Sequence, residues 1–310
     1  MSANNKNNFA ATEEKDEYVM CCASCGVGEV DDIKLKACDG CKSIRYCSDK
    51  CQREHRPHHK RECKKRAAEL CDEILFKQPE SSCYGDCPIC FLPLSLDRKK
   101  SGMMACCSKT ICYGCHHANV MRQCGLVIPQ EPSCAFCREP LPKTGEENDM
   151  MLMKRIEKND PVAMTRMGHK RSDEGDYKSA FEYYTKAAEL GDAGAHYNLS
   201  VMYDLGRFVE KDEKKQVYHL EVAAIGGHVL ARHNLGCHEE DNGRMERAVK
   251  HFTIAASMGD EESMKALWNY HARGLVKKEQ LTATLRAHQT VVCETKSQQR
   301  QQAEEFLKRN

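Results

Sequence analysis

The chain has 310 residues, with 47 basic and 46 acidic side chains, so its net charge provides no general attraction for nucleic acids or membranes. No stretch approaches 18 consecutive apolar residues, which excludes a membrane-spanning helix, and the polar N-terminus lacks the apolar core of a secretory signal. Nineteen of the 21 cysteines lie between Cys21 and Cys137, a segregation that does not fit a chain-wide disulfide framework.

The first 20 residues are polar and aperiodic, which predicts a disordered tail at 1–20. Without an export signal, we expect a cytoplasmic or nuclear protein whose thiols meet a reducing environment. Closely spaced cysteines in such compartments bind metal more often than they form disulfides. The cysteine-rich part of the chain is therefore a candidate metal-binding region.

Four pairs of metal-binding side chains follow in residues 21–64, here called the first finger. The pairs are Cys22 and Cys25, Cys38 and Cys41, Cys47 and Cys51, and His59 and Cys63. Zinc takes four tetrahedral thiolate or imidazole ligands, so eight ligands predict two ions. A module of about 45 residues buries too little apolar surface to be stable without them.

The run Cys41-Lys-Ser-Ile-Arg-Tyr-Cys-Ser-Asp-Lys-Cys51-Gln, ending in His59-Lys-Arg-Glu-Cys63, closely resembles the MYND zinc finger. The ligands of that family interleave. The resemblance therefore implies one zinc on Cys22, Cys25, Cys47 and Cys51, and the other on Cys38, Cys41, His59 and Cys63. Arg56 stands where the family usually has an aromatic residue, which weakens any transfer of the family's peptide-binding surface.

Residues 42–66 carry ten lysines and arginines against three acids, without the interleaved aromatic side chains that stack on bases. This pattern favours a solvated surface, so nucleic acid is not an expected partner. Apolar residues at helical spacing then predict a helix over about 60–78, closed by Pro79, within a helical connector at 65–82.

A second cysteine-rich segment, residues 83–142, is here called the second finger. Its eight thiols form four pairs: Cys87 and Cys90, Cys106 and Cys107, Cys112 and Cys115, and Cys134 and Cys137. The pattern resembles a RING finger of the all-cysteine kind. The resemblance implies one zinc on Cys87, Cys90, Cys112 and Cys115, and another on Cys134 and Cys137 with ligands from the 106–107 region.

The sequence does not identify the fourth ligand of that second site. A RING finger usually carries histidine two residues after its third cysteine, and counting from Cys107 this chain has Lys109 there. We favour binding by both adjacent cysteines. The alternatives that could supply the missing ligand are His116, His117 and Cys124.

The RING resemblance also implies recruitment of a ubiquitin-conjugating enzyme. Ile89 lies between the first ligands and Arg138 follows the last, which are positions that active RING fingers use for this contact. Ala135 stands where many active RING fingers have proline, and residues 116–133 contain no tryptophan to build the usual groove. A purely structural finger and a ubiquitin ligase therefore both remain possible.

Residues 150–295 repeat a helical pattern. Ala195-His-Tyr-Asn-Leu199 aligns with Ala231-Arg-His-Asn-Leu235, while Ala163-Met-Thr-Arg-Met167 and Ser263-Met-Lys-Ala-Leu267 occupy the same phase. A period in the thirties predicts about four stacked helical hairpins. Glycine after each second helix predicts a left-handed cap.

The segment Gly206-Arg-Phe-Val-Glu-Lys-Asp212, followed by Ala223-Ala224, resembles the Sel1-like repeat, a relative of the tetratricopeptide repeat. Phe208 stands where that family usually has its second glycine, and the units that start at Ala163 and Ala231 lack the loop, so their turns should differ. The resemblance implies a protein-binding scaffold. Residues 296–310 are predicted to form a polar C-terminal tail.

The predicted fold class is two small zinc-stabilised irregular α+β fingers followed by an all-α Sel1/TPR-like helical-hairpin solenoid. The arrangement resembles a group of microalgal proteins with zinc fingers and Sel1-like repeats. No catalytic signature stands out, and each candidate metal site has a full ligand set, as structural sites do. We expect two zinc ions per finger and protein or peptide partners. An adaptor or scaffold is favoured; the alternative is a RING-type ubiquitin ligase whose repeats select the substrate.

Overall fold

The computed structural model describes residues 21–25, 27, 34–125 and 131–309. The chain divides into two compact units, Met1–Ile74 and Leu75–Asn310. Short strands belong to the two fingers: β1 (Lys36–Ala37), β2 (Arg45–Tyr46), β3 (Ser101–Met103) and β4 (Thr110–Cys112). Within each finger the two strands pair antiparallel, with Lys36 opposite Tyr46 and Ser101 opposite Cys112.

Helices make up most of the remaining described chain. They are α1 (Asp49–Leu75), α2 (Tyr113–Cys124), α3 (Gly145–Ile156), α4 (Pro161–Asp173), α5 (Tyr177–Glu189), α6 (Ala193–Leu205), α7 (Glu213–Ile225), α8 (Val229–Asp241), α9 (Met245–Ser257), α10 (Glu261–Ala272), α11 (Lys278–Glu294) and α12 (Gln298–Arg309), with a 3-10 helix at Arg98–Lys100. This order confirms the predicted fold class. None of the helices described is both long and apolar enough to span a membrane.

Helix α1 differs from its predicted bounds, since it begins at Asp49 instead of near residue 60 and ends at Leu75. Its start has a local cause: the hydroxyl of Ser48 accepts a hydrogen bond from the backbone N–H of Cys51 at 3.3 Å, as an N-cap residue does. Leu75 is the only buried side chain of the helix. Its charged first half therefore carries no apolar periodicity that would mark where it begins.

The repeats form four helical hairpins, α4–α5, α6–α7, α8–α9 and α10–α11. Fully buried alanines recur in phase, at Ala163, Ala195 and Ala231 on the first helices and at Ala187, Ala223 and Ala255 on the second. Small residues let the two helices of a hairpin approach closely. At Gly236, for example, an added Cβ would lie only 2.6 Å from the ring of Phe252.

The ends of these helices repeat as regularly as their alanines. The side chains that cap the first helices are Asp160, Asp192, His228 and Asp260, each accepting from the backbone N–H three residues later. Before the last three caps a glycine has positive φ, +86° at Gly191, +81° at Gly227 and +96° at Gly259, which confirms the predicted left-handed caps; before Asp160 the same place is taken by Asn159, with φ +56°. Only the α6–α7 hairpin has the long connection, residues 206–212, as the sequence predicts.

The C-terminal segment is not a free tail. The sequence predicts a polar tail at 296–310, whereas the structure has α12 there, packed on α2 of the second finger. The approach is so close that a Cβ on Gly114 would lie 2.9 Å from the Cα of Arg300. The buried face of α12 consists of Arg300 and Ala303, so the sequence has no apolar stripe that would indicate packing.

The segment that joins α1 to the second finger also lies on the repeats. The backbone N–H of Cys83 donates to the carbonyl of Gly227 at 3.0 Å, and the ring of Phe76 is 4.7 Å from that of His251. Leu96 packs with Val229 beside the same turn. Part of the surface of the repeat array is therefore covered by the chain itself.

Candidate metal centres

The two sites of the first finger are built from a hairpin and a helix. Cys38 and Cys41 lie in the turn between β1 and β2, and Cys47 follows β2. His59 and Cys63 are four residues apart on α1, so their side chains share one face of the helix. The hairpin and the helix together thus supply most of the ligand atoms of this finger.

The structure brings the eight predicted side chains of the first finger together in two groups. Cys22, Cys25, Cys47 and Cys51 form one, and Cys38, Cys41, His59 and Cys63 form the other, with all ligand atoms of a group within 4.8 Å of one another. In the first group, the Sγ of Cys47 is 3.6 Å from that of Cys25 and from that of Cys51. In the second, the Nε2 of His59 is 3.2 Å from the Sγ of Cys41. The pairs interleave as the MYND resemblance implies.

The second finger builds its two groups in the same interleaved way. Cys87, Cys90, Cys112 and Cys115 form one group, and Cys106, Cys107, Cys134 and Cys137 form the other. Cys112 ends β4 and caps α2, where its Sγ accepts from the N–H of Cys115 at 3.4 Å. The adjacent Cys106 and Cys107 approach Cys137 and Cys134, with Sγ–Sγ distances of 3.3 and 3.9 Å.

The side chains proposed as substitutes lie elsewhere. His116, His117 and Cys124 are on α2, and none of them belongs to a metal-binding group among the described residues. The arrangement therefore agrees with the adjacent cysteine pair as ligands.

Three cysteine turns share one backbone geometry that sequence reasoning missed. The carbonyls of Cys38, Cys87 and Cys134 each accept a hydrogen bond from the N–H of the residue four positions later, at 2.8–2.9 Å. Those residues, Lys42, Phe91 and Arg138, all have positive φ, between 54° and 63°. Glycine normally signals such a position, and its absence from all three places left no sign in the sequence.

An arginine from the C-terminal helix contacts a ligand of the first site of the second finger. The guanidinium of Arg300 on α12 donates to the Sγ of Cys90 at 3.4 Å, to the carbonyl of Leu92 at 3.1 Å and to that of Pro93 at 2.7 Å. A cation beside a ligand thiolate offsets part of its negative charge. Neither the cysteine spacing nor the composition of the C-terminal segment indicates this contact.

Electrostatics within each group favour a bound cation. Burial raises the pKa of the Cys22 thiol, but the backbone N–H groups of Cys25, Cys47 and Ser24 outweigh it and lower that pKa to about 6. The pKa of the neighbouring Cys47 thiol shifts in the opposite direction, because hydrogen bonding with Cys25 and Cys51 raises it to about 12.

The second finger shows the same opposition. A hydrogen bond with Cys112 is the main cause that lowers the pKa of Cys87 to about 4, while burial raises that of Cys115 to about 12. Four thiolates so close together repel one another. A divalent cation among them would lower the raised pKa values and allow all four to ionise.

The donor set fits zinc. Four sulfurs at 2.3 Å from a tetrahedral ion are about 3.8 Å apart. The Sγ–Sγ distances of 3.6 Å for Cys25–Cys47, 3.7 Å for Cys38–Cys63 and 3.8 Å for Cys90–Cys112 lie close to this value. Each group offers sulfur, or sulfur and one imidazole, which suits zinc better than calcium or magnesium.

Comparison with known proteins identifies two kinds of module in the chain. The MYND finger family model matches residues 22–63, and the Sel1 repeat model matches residues 161–192, 193–228 and 230–260. These matches cover both ligand groups of the first finger and the first three helical hairpins. No curated protein matches the chain.

Solved structures with similarity to the chain include two repeat proteins. One is a Sel1 repeat protein from Oxalobacter formigenes, 28% identical, with a TM-score of 0.42 over 48% of this chain and 66% of that one. Another is c5321, a protective antigen present in uropathogenic Escherichia coli strains that displays an SLR fold, 20% identical, with a TM-score of 0.43 over 56% of this chain and 44% of that one. The chain thus spans less than two thirds of either protein.

Proposed function

We propose that this chain, which carries a MYND finger at 22–63 and Sel1 repeats over 161–260, is a zinc-dependent adaptor that joins partner proteins. Both kinds of module are protein-interaction modules. The four ligand groups would each hold one zinc ion with a structural role, since each has four protein ligands and no place for a reacting water. The sixteen cysteine and histidine ligands named above are the proposed sites. A cytoplasmic or nuclear location is proposed as well, because closely spaced cysteines that bind metal are typical of reducing compartments.

The observation that carries the adaptor proposal is Phe208 in the α6–α7 connection. Its φ is +66°, a left-handed conformation that a bulky side chain rarely adopts and that glycine would adopt without strain. Its side chain is nevertheless 53% exposed, with one face near the ring of Phe181, 5.6 Å away. Backbone strain that the fold does not require is a reason to infer a binding role for the side chain.

Three more large apolar side chains, among them Ile225 at the end of α7, are exposed in the same hairpin. Leu205 ends α6 and is 46% exposed, and Tyr218 on α7 is 57% exposed. A concentration of exposed apolar side chains marks an interaction surface more often than an accident of folding. We propose that this hairpin contacts the partner protein, since other turns of the array are covered by the chain itself.

The test is affinity purification of the zinc-loaded full chain from an extract of its source cells after mild crosslinking. Wild type is compared with Phe208→Gly, which removes the ring and suits the left-handed backbone. We expect a defined set of proteins that wild type retains and the variant loses. Retention of the same set by both chains, or of none by wild type, would count against the adaptor role of this hairpin.

A ubiquitin ligase is the second candidate, favoured by the exposed residues on the cysteine turns of the second finger. Ile89 and Phe136 occupy the same place in their Cys-x-x-Cys turns, and both are more than one third exposed. Arg138, two residues after Phe136, is exposed as well. An in vitro assay with a panel of conjugating enzymes tests this: ubiquitin chains that form with wild type but not with Ile89→Ala would support it. No chain formation with any enzyme would refute it.

A further inference from the structure

A small cationic cavity lies where the second finger meets the first repeats, away from the four ligand groups. Its volume is about 270 Å³, below the roughly 300–1,000 Å³ of clefts that hold drug-sized ligands. Arg98 of the 3-10 helix, Arg166 of α4 and Arg207 of the α6–α7 connection line it together. Three segments that are distant in sequence thus each contribute a guanidinium.

The charge in this cavity is not balanced by the protein. In the part of the chain that the structure describes, no carboxylate forms an ion pair with Arg98, Arg166 or Arg207. Asp173 is the one acidic residue of the lining, so the side chains there carry three positive charges and one negative, a net charge of +2. Arginines that face a common space without a counter-ion form a site suited to an anion.

Several contacts hold the lining in place without an anion. The guanidinium of Arg207 lies 5.2 Å from the centre of the Tyr177 ring, and its backbone N–H donates to the carbonyl of Met202 at 3.0 Å. The side-chain amide of Asn198 donates to the carbonyl of Gly194 at 2.7 Å and to His169. The cavity therefore needs little rearrangement to bind a ligand.

His169 also lines the cavity. Its Nε2 accepts from the amide nitrogen of Asn198 at 3.0 Å, so the remaining ring proton is on Nδ1. Burial, and then the charges of Arg98 and Arg166, lower the pKa of His169 to about 4, so the ring is uncharged at neutral pH. Arg98 and Arg166 line the same cavity as this ring.

We propose that this cavity binds a phosphate monoester. A monoester carries a charge of about −1.5 to −2 at pH 7 and three acceptor oxygens, which match the net charge of +2 and the three guanidinium forks. A carboxylate has one charge and two oxygens, and would leave one arginine without a partner. The volume suits the phosphate group itself, with the rest of the ligand outside.

The monoester has two possible sources. A phosphorylated side chain of a partner protein is one, and this source rests on the proposed adaptor function. A phosphorylated small molecule is the other, and it does not depend on that function. Failure of the adaptor proposal would therefore leave phosphate binding itself unaffected.

Isothermal titration calorimetry on the zinc-loaded full chain tests the proposal with three probes: N-acetyl-O-phosphoserine amide, glycerol 3-phosphate and N-acetyl-aspartate amide. We expect the two monoesters to bind and the aspartate derivative to bind at least 10-fold more weakly. Tighter binding of the phosphoserine probe indicates the protein-borne source, and tighter binding of glycerol 3-phosphate indicates the small molecule. Absence of binding by both monoesters at millimolar concentration would overturn the proposal.

Variants distinguish binding in this cavity from nonspecific electrostatic attraction of the anion to the chain. Arg166→Gln should weaken binding of the monoesters about 10-fold or more, because it removes one of the three guanidinium groups of the lining. Since the side chain is exposed, the substitution should leave the helix intact. Arg286→Gln is the matched control, with the same charge change at an exposed position of α11 outside the lining. Asp173→Asn removes the opposing carboxylate and should tighten binding, a gain that misfolding cannot produce. Equal weakening by the two arginine variants, or weaker binding by Asp173→Asn, would refute the site.

Discussion

Replacing Cys106 by serine should remove zinc from the second finger. Cys106 lies next to another ligand, and its Sγ is 3.3 Å from that of Cys137. A serine hydroxyl does not ionise near neutral pH and is a poor zinc ligand, so the group would keep three thiols. We expect the zinc content of the purified chain to fall by at least one ion from the four that the ligand groups imply.

The magnitude follows from how few apolar side chains this finger buries in its own core. Leu94 and Ile111 are the only buried apolar side chains without sulfur in its cluster of described residues. At about 1.5–3 kcal/mol each, they contribute roughly 3–6 kcal/mol. A structural zinc contributes about 10–16 kcal/mol of apparent binding free energy that is coupled to folding. Loss of one ion therefore exceeds what the apolar core supplies, and the finger should become locally unfolded.

The measurement is zinc per chain by inductively coupled plasma mass spectrometry, together with the rate at which a thiol reagent labels Cys134. Cys124→Ser is the control, because Cys124 is an exposed cysteine of the same finger outside both groups. It should leave zinc content and labelling unchanged. Zinc content that Cys106→Ser leaves at the wild-type value would refute the assignment, and so would an equal loss in the control.

Three further outcomes are expected. Phe208→Gly should be more stable than Phe208→Ala by about 1–2 kcal/mol in urea unfolding, since both lack the ring but only glycine adopts φ +66° freely; equal stability would contradict the strain. Burial lowers the pKa of His228 and His251 to about 3, so their stabilisation is complete above the unfolded value near 6.5 and is lost as pH falls towards 3. The contribution of each histidine to the free energy of unfolding should fall by about 2 kcal/mol between pH 8 and pH 5. His251→Phe should therefore halve the part of the acid sensitivity of thermal unfolding that this pair causes. An unchanged sensitivity would exclude this cause. Arg300→Met should weaken zinc binding in the second finger about 10- to 100-fold in competition with a chelator, and an unaltered affinity would show that the contact with Cys90 is incidental.

The ligand groups and the repeats were predictable because their chemistry is local. A Cys-x-x-Cys turn specifies its own geometry, and the alanines of the repeats recur in phase, so Ala195 and Ala231 indicate the packing directly. The packing of α12 was not predictable from the sequence, because its buried residues, Arg300 and Ala303, form no apolar stripe. The cavity was equally hidden, since Arg98 and Arg207 are brought together only by the tertiary fold.

The contact of α12 with α2 changes the mechanics of the array. In an open solenoid each repeat contacts only its neighbours, so the last repeats can unfold independently of the first. Here the chain from Tyr113 to Arg309 closes into a loop, because its last helix packs against the helix that carries Cys115. A partner that bends the repeats must work against this closure, and Arg300 connects α12 directly to the ligand Cys90. By thermodynamic reciprocity, metal loss in the second finger should soften the repeats to the same extent that bending them loosens the metal.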